Sequence, residues 1–239
     1  MRVATYNIHR GWGAAGWYNP RRILDVVADL GAEVIALQEA QHWLRPGADM
    51  LDARILACLG LRPLAVTQRP EHLGWRGNVL LVTQYARVLR APVGIRLGGM
   101  EPRGAIMAEL DLGHGPFRLL ATHLSLGAER RREQARRLLQ AMRDGVGSAL
   151  PTLLLGDLNE RRDGGAALEV LRPVFGTPLR APTFPSFGPA LSLDRIMGDR
   201  PGLIPAVRAH DTPLARRASD HLPLVAEVDL GAKRPPMLD

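Results

Sequence analysis

The chain has a single cysteine, Cys58, among its 239 residues, so no internal disulfide can staple it and its stability must come from a core. Cys58 falls at helical spacing among Leu51, Ile55 and Leu59, which predicts a buried packing position and not a nucleophile. Aromatic residues are scarce, at 5%, and no apolar run approaches the length that would span a bilayer. A membrane helix is thereby excluded. No internal repeat, low-complexity tract or linker is present, which argues against solenoids and against two domains. The opening Met1-Arg2-Val3-Ala4-Thr5-Tyr6-Asn7 enters a strand pattern at once and leaves no room for an export segment, so a cytoplasmic location is expected.

What is present is the composition of an ordinary globular protein, 46% apolar and 23% charged. One monomeric domain over residues 1–230 is expected, followed by a loose, flexible tail from Gly231 to Asp239. The net charge of +7 comes mostly from arginine, whose planar fork binds two phosphate oxygens at once. An anionic substrate fits that excess, and so does a solvated exterior of biased composition.

Strand patterns run over Val3–Ile8, Glu33–Leu37, Val79–Val82, Ala105–Leu112, Phe117–Thr122, Thr152–Leu155, Leu193–Met197, Ile204–Ala209 and Leu222–Val228. Helical patterns lie between them. The clearest has Asn19 as cap, Pro20 at the first position, Ile23, Val26, Val27 and Leu30 on one face, and Gly31 as its stop. Others run from Met50 to Cys58, from Gly127 through an arginine-rich stretch with Ala135, Leu138, Leu139 and Met142 as its apolar stripe, and after Asp163. Strands separated in turn by hairpin-sized connections and by helices predict an α/β protein with two mixed sheets packed face to face and helices outside.

Short polar clusters stand where these strands would end, and strand ends are where such architectures gather a site. Glu39, after Val34 to Gln38, offers a carboxylate to a hard cation such as magnesium; alone it could equally be a glutamate in water. Gly156-Asp157-Leu158-Asn159 places a carboxylate and an amide on one side by strand periodicity, suited to a water and a phosphoryl oxygen, or else forms an Asx turn. His221, in Ser219-Asp220-His221, could exchange a proton near neutral pH if Asp194 orients its ring; otherwise Asp194 pairs with Arg195 on the surface. His123 could donate to a phosphoryl oxygen, or be a hydrogen-bonded strand histidine. Trp12, Trp17, Trp43 and Trp75 flank these strands and either rim the crevice, touching bases or lipid, or cover strand ends.

Thr5-Tyr6-Asn7, Leu37-Gln38-Glu39, Gly77-Asn78, Thr122-His123-Leu124, Arg131 to Gln134, Gly156-Asp157-Leu158-Asn159, Leu193-Asp194-Arg195-Ile196 and Ser219-Asp220-His221 occur in an order and spacing that resembles the endonuclease/exonuclease/phosphatase superfamily, to which deoxyribonuclease I-like enzymes belong. The resemblance covers about Val3 to Val228. It implies a four-layered α/β sandwich and a Mg2+- or Mn2+-dependent hydrolase of phosphoester bonds. It also implies that Glu39 holds the metal with Asn7 and Asp220 nearby, that Asp157 and Asn159 place water and phosphate, that His221 acts with Asp194, and that His123 stabilises the transition state. The short stretches Leu44–Arg76 and Arg161–Ser192 lack long helical insertions, and Thr183-Phe184-Pro185-Ser186 looks more like a compact bacterial branch, some of it linked to phospholipids. A phosphodiesterase acting on nucleic acid is the first expectation and a phospholipid or lipid-headgroup phosphodiesterase or phosphatase the second. A non-catalytic polyanion-binding scaffold is the rival from another class, and converging unpaired acids speak against it.

Overall fold

Side-chain alternation along the strands decides how the layers stack, because each strand must offer one apolar face to each neighbouring layer. The computed structural model of the chain describes residues 1–41, 50–66, 74–144 and 149–233. Its strands are β1 (Arg2–Asn7), β2 (Val34–Gln38), β3 (Leu61–Pro63), β4 (Val79–Thr83), β5 (Arg87–Gly98), β6 (Arg103–Asp111), β7 (Pro116–His123), β8 (Thr152–Asp157), β9 (Asp194–Gly198), β10 (Ala206–Ala209) and β11 (Leu224–Glu227). Its helices are α1 (Pro20–Leu30), α2 (Ala53–Cys58), α3 (Ala128–Asp144), α4 (Ala166–Phe175) and α5 (Pro213–Ala218). One sheet has six strands in the order β10-β11-β1-β2-β4-β3, the other five in the order β5-β6-β7-β8-β9. Both are mixed, with β1 parallel to β2 across α1 and β7 parallel to β8 across α3.

Val3, Val34, Leu80 and Leu224 of the first sheet meet Ile106, Leu119, Leu153 and Ile196 of the second in a core between the sheets. Ala4, Tyr6, Ile35 and Leu81, one residue out of phase, face α1, α2 and α5. Leu120, Leu154 and Met197 face α3 and α4. The result is helices, sheet, sheet, helices: a four-layered sandwich with the mixed sheets face to face. Each fully buried Leu or Ile in it contributes about 1.5–3 kcal/mol.

α1 forms as expected, with the Asn19 side chain accepting from the Arg21 amide and Gly31 in the left-handed region at its end. Cys58 is a correction: it is exposed, not buried. α2 has only six residues and turns Leu56 inward, with Leu51 buried just before it, so the buried face is shifted away from position 58. Two strands and one helix escape the sequence reading. β5 lies at the edge of its sheet with most of its residues exposed or half-buried, contains Pro92 and is interrupted by register shifts, so it carries no clean period. β3 and α5 span only three and six residues. Of the expected tail, Ala232 packs against the core and residues 234–239 lie outside the described residues.

Candidate active site

The residues that line the inner faces of the strands run out of apolar character at one end of the sandwich. Along β1 the inward positions are Val3, Thr5 and Asn7; along β7, Phe117, Leu119, Ala121 and His123; along β8, Leu153, Leu155 and Asp157. β9 runs antiparallel to β8 and enters with Asp194 opposite Asp157. Thus the two sheets deliver their terminal polar side chains to one spot without any further instruction. The Asn7 amide Nδ2 donates to Asp157 Oδ2 at 3.0 Å, joining the sheets. Asn7, His123, Asp157, Asp194 and His221 are all buried.

Loops complete the cleft, whose volume is about 690 Å³ and whose walls include Asn7, Glu39, His123, Asp157, Asn159, Asp220 and His221. The Asn159 amide N–H donates to Asp157 Oδ1 at 2.8 Å, and Asn159 itself is left-handed, with φ 51°. Asp157 and Asn159 therefore share the cleft through an Asx turn and not through strand periodicity, because β8 ends at Asp157. Among the described residues, the non-glycine ones in the left-handed region are His9, Arg10, Glu39, Arg76 and Asn159, and all but Arg76 line this cleft. Strain of this kind persists only where surrounding structure holds it, and it gathers at functional sites.

His221 Nδ1 lies 2.9 Å from Asp194 Oδ2, which also accepts from the Thr183 hydroxyl at 2.6 Å. Its Nε2 lies 3.8 Å from Asp157 Oδ2. Burial by itself would push the ring down, but the adjoining Asp194 carboxylate, with Asp157 and Asp220 beyond, outweighs it and holds His221 up at about 10. His123 goes the other way: burial pushes it down to about 3, Asp157 pulling against that and Arg103 and His221 adding to it. The Arg103 guanidinium can only donate, and its Nη1 stands 2.8 Å from His123 Nδ1, so that nitrogen is bare and the ring proton sits on Nε2. Nε2 faces Asp157 Oδ2 at 3.5 Å as its acceptor, while the Asn159 Nδ2, which donates to the Leu124 carbonyl at 3.0 Å, stands 3.2 Å away.

Sequence reasoning missed several participants. Arg103 is one, an arginine in phase with the buried Ala105 and Met107 of β6; that phase was the available signal. Thr183, and Phe184, whose ring centroid lies 4.9 Å from that of His221, are others. Arg10 bridges Glu39 at 3.7 Å and Glu101 at 3.0 Å, while His9 stands 3.7 Å from Asp220. Asp194 is fully buried and bound to the histidine, not paired on the surface with Arg195. Of the tryptophans, Trp12 lines the cleft and Trp17 is 75% exposed. Trp75 instead donates to the Ile95 carbonyl and packs on Gly94 and Gly104, and Trp43 lies outside the described residues.

The donor set suits a hard divalent ion. Glu39, Asp220, Asp157 and Asn7 offer carboxylate and amide oxygens to one cleft, and no described thiol competes there. Asp157, Asp194 and His221 also form a group whose ligand atoms lie within 4.8 Å of one another and could hold a metal. In that group, however, Asp194 is already committed to His221 Nδ1 and Thr183, which leaves the Asp157 side of the cleft as the accessible part.

A four-layered sandwich that gathers acids, amides and imidazoles at one end of its sheet interface defines a hydrolase of phosphoester bonds. Residues 4–221 match the Endonuclease/Exonuclease/phosphatase family, and the chain belongs to it. Among solved structures, a mannosyl-6-phosphatase of Bacteroides thetaiotaomicron is similar with a TM-score of 0.71 and 17% identity, over 96% of this chain and 99% of that one. The human Nocturnin catalytic domain, solved with a bound sulfate anion, gives a TM-score of 0.68 and 22% identity over 95% and 92%. Sphingomyelinase C from Streptomyces griseocarneus gives 0.65 and 17% over 96% and 99%. At these identities the likeness is one of fold. No curated protein sequence matches the chain. No described helix is long and apolar enough to cross a membrane.

Proposed function

We propose that the protein is a Mg2+- or Mn2+-dependent phosphodiesterase whose reaction runs along the line Asp194–His221–Asp157. The observation that carries this reading is the pair of contacts from one ring, 2.9 Å to a buried carboxylate on one side and 3.8 Å to a cleft carboxylate on the other. Glu39, with Asn7 and Asp220, would hold the ion; when bound, it supplies charge to neutralise the phosphoryl and leaving oxygens. His221, held up at about 10, carries its proton at neutral pH and acts as an N–H donor to a phosphoryl oxygen. Asp194 fixes the ring's orientation. Asp157 then accepts the proton of the attacking water, with the Asn159 side chain placing phosphate and water. His123 presents its Nε2–H to the same space, kept neutral and in one tautomer by Arg103.

Nucleic acid is the substrate first expected from the sequence and a phospholipid the second, the arginine-rich helix around Arg130 to Arg137 suiting either polyanion. In the fold, Arg131 of that helix is buried against Glu160, Arg132 is tied to Glu129 and Glu169, and Arg137 to Glu133, which weakens that ground. The deciding experiment is turnover in added Mg2+ or Mn2+ of single- and double-stranded DNA, RNA, phospholipids, inositol phosphates and a generic aryl phosphodiester. Hydrolysis of at least the generic ester is expected. Its absence under every metal condition would leave the scaffold reading in possession.

A further inference from the structure

Among the described large apolar side chains, the most exposed are Trp17 at 75%, Met100 at 100%, Leu126 at 76% and Phe187 at 75%. They come from separate loops of both sheets, and every one of those loops also walls the cleft. Gly16 beside Trp17, Glu101 beside Met100, Leu126 itself, and Phe184 three residues before Phe187 are all lining residues. The other exposed apolar residues reach at most 63% and, apart from Tyr18 beside Trp17, belong to other places, such as the edge strand β5 with Val88, Leu89 and Val93. Scattered single apolar residues need no explanation, but the four most exposed ones falling on loops that all supply cleft walls do. Arg161, which lines the cleft, and Arg162 next to it are exposed, and neither pairs with an acid among the described residues.

We propose that this rim seats the protein on an anionic lipid surface with the cleft facing the headgroups. Resting on the phosphodiesterase reading above, it also follows that the ester hydrolysed is carried by a lipid. The exposed apolar side chains of the cleft-walling loops would enter the acyl boundary, while the guanidinium groups of Arg161 and Arg162 stay at the level of the headgroup phosphates. A nucleic acid would satisfy the arginines and give the aromatic rings something to stack on, but it offers no hydrocarbon to Met100 or Leu126. The mixture of aliphatic and aromatic tips is what selects the lipid.

The test is co-sedimentation of the full chain with phosphatidylcholine vesicles and with vesicles containing phosphatidylserine, in chelator so that no ester is turned over. Binding is expected to favour the anionic vesicles. Trp17→Ser, Met100→Ser and Phe187→Ser should each weaken it by about tenfold, the scale of withdrawing one large side chain from hydrocarbon. The triple variant should lose sedimentation yet hydrolyse a soluble aryl phosphodiester at the wild-type rate, which also shows that it is folded. No vesicle binding by the wild type, or equal sedimentation of the triple variant, would overturn the proposal. So would rim substitutions that weaken duplex DNA binding in place of vesicle binding. If no ester is hydrolysed by any form but the rim substitutions still abolish sedimentation, the docking surface stands and the hydrolase reading falls.

Discussion

At the scale of single residues, the cleft sets two histidines against each other, one held cationic and one held neutral. The sign of each effect on stability follows. His221 is raised from 6.5 to about 10, so its contribution is fully present below 6.5 and is lost as pH climbs through about 10. Asp194→Asn removes the cause, and thermal melts of that variant should lose the alkaline decline that the wild type shows over this window. His123 is lowered from 6.5 to about 3, so its contribution is present above 6.5 and fades as pH falls toward 3. His123→Asn should accordingly flatten the acid side of the same plot. In catalysis, His221→Ala is expected to cut turnover by about 100- to 10,000-fold with the circular dichroism spectrum unchanged. Glu39→Gln should raise the metal concentration needed for half-maximal activity; an identical metal response would remove Glu39 from the ligand set. Glu39, His123, Asp157, Asp194 and His221 were legible in the sequence because each stands at the end or start of an apolar run. Arg103, Arg10 and Thr183 were not, since each takes its meaning from a partner 20 or more positions away, or, for Thr183, from the burial of Asp194.

At the scale of elements, α3 does its work inward. Arg131 binds Glu160 through Nε at 3.1 Å and also donates to the Ser125 and Leu126 carbonyls, while the Gln134 side chain accepts from the Ser125 amide at 2.9 Å. These bonds tie the loop after His123 to the loop after Asn159, so a helix in an outer layer sets the spacing of two cleft residues. Arg131→Ala leaves the buried Glu160 carboxylate without its cation, only the Ala167 amide among the described residues still donating to it, and should lower stability by about 3–5 kcal/mol in chemical denaturation. Replacing both partners by Met and Leu should recover most of that loss. Helix α1 could be read from its capping residue, its first-turn proline and its terminal glycine, and the strands of the inner core from their apolar runs. β5 could not, because an exposed, arginine-bearing edge with bulges shows neither a period nor an apolar run.

For the whole molecule, the two substrate readings differ in how they respond to ionic strength. Association with duplex DNA through several arginines should weaken with a log–log slope of about 0.9 per phosphate contact. Association with a lipid surface through inserted side chains should keep a salt-resistant part, measurable as vesicle binding that survives at high ionic strength. The layer order was legible because it needs only strand patterns and the helices between them. How the loops rim the cleft was not, since exposure is fixed by what the rest of the chain fails to cover.

β11 pairs with β10 on one side and β1 on the other, three residues after His221. The strand nearest the end of the fold is thus an interior stave of its sheet, and the segment leading into it brings His221 to the cleft. A copy cut short by a nonsense codon ahead of this segment would lack the imidazole and leave β1 with a raw edge. A copy truncated ahead of this segment is therefore expected to lose the site and to be protease-sensitive together, measurable by limited proteolysis of a chain ending before Ser219.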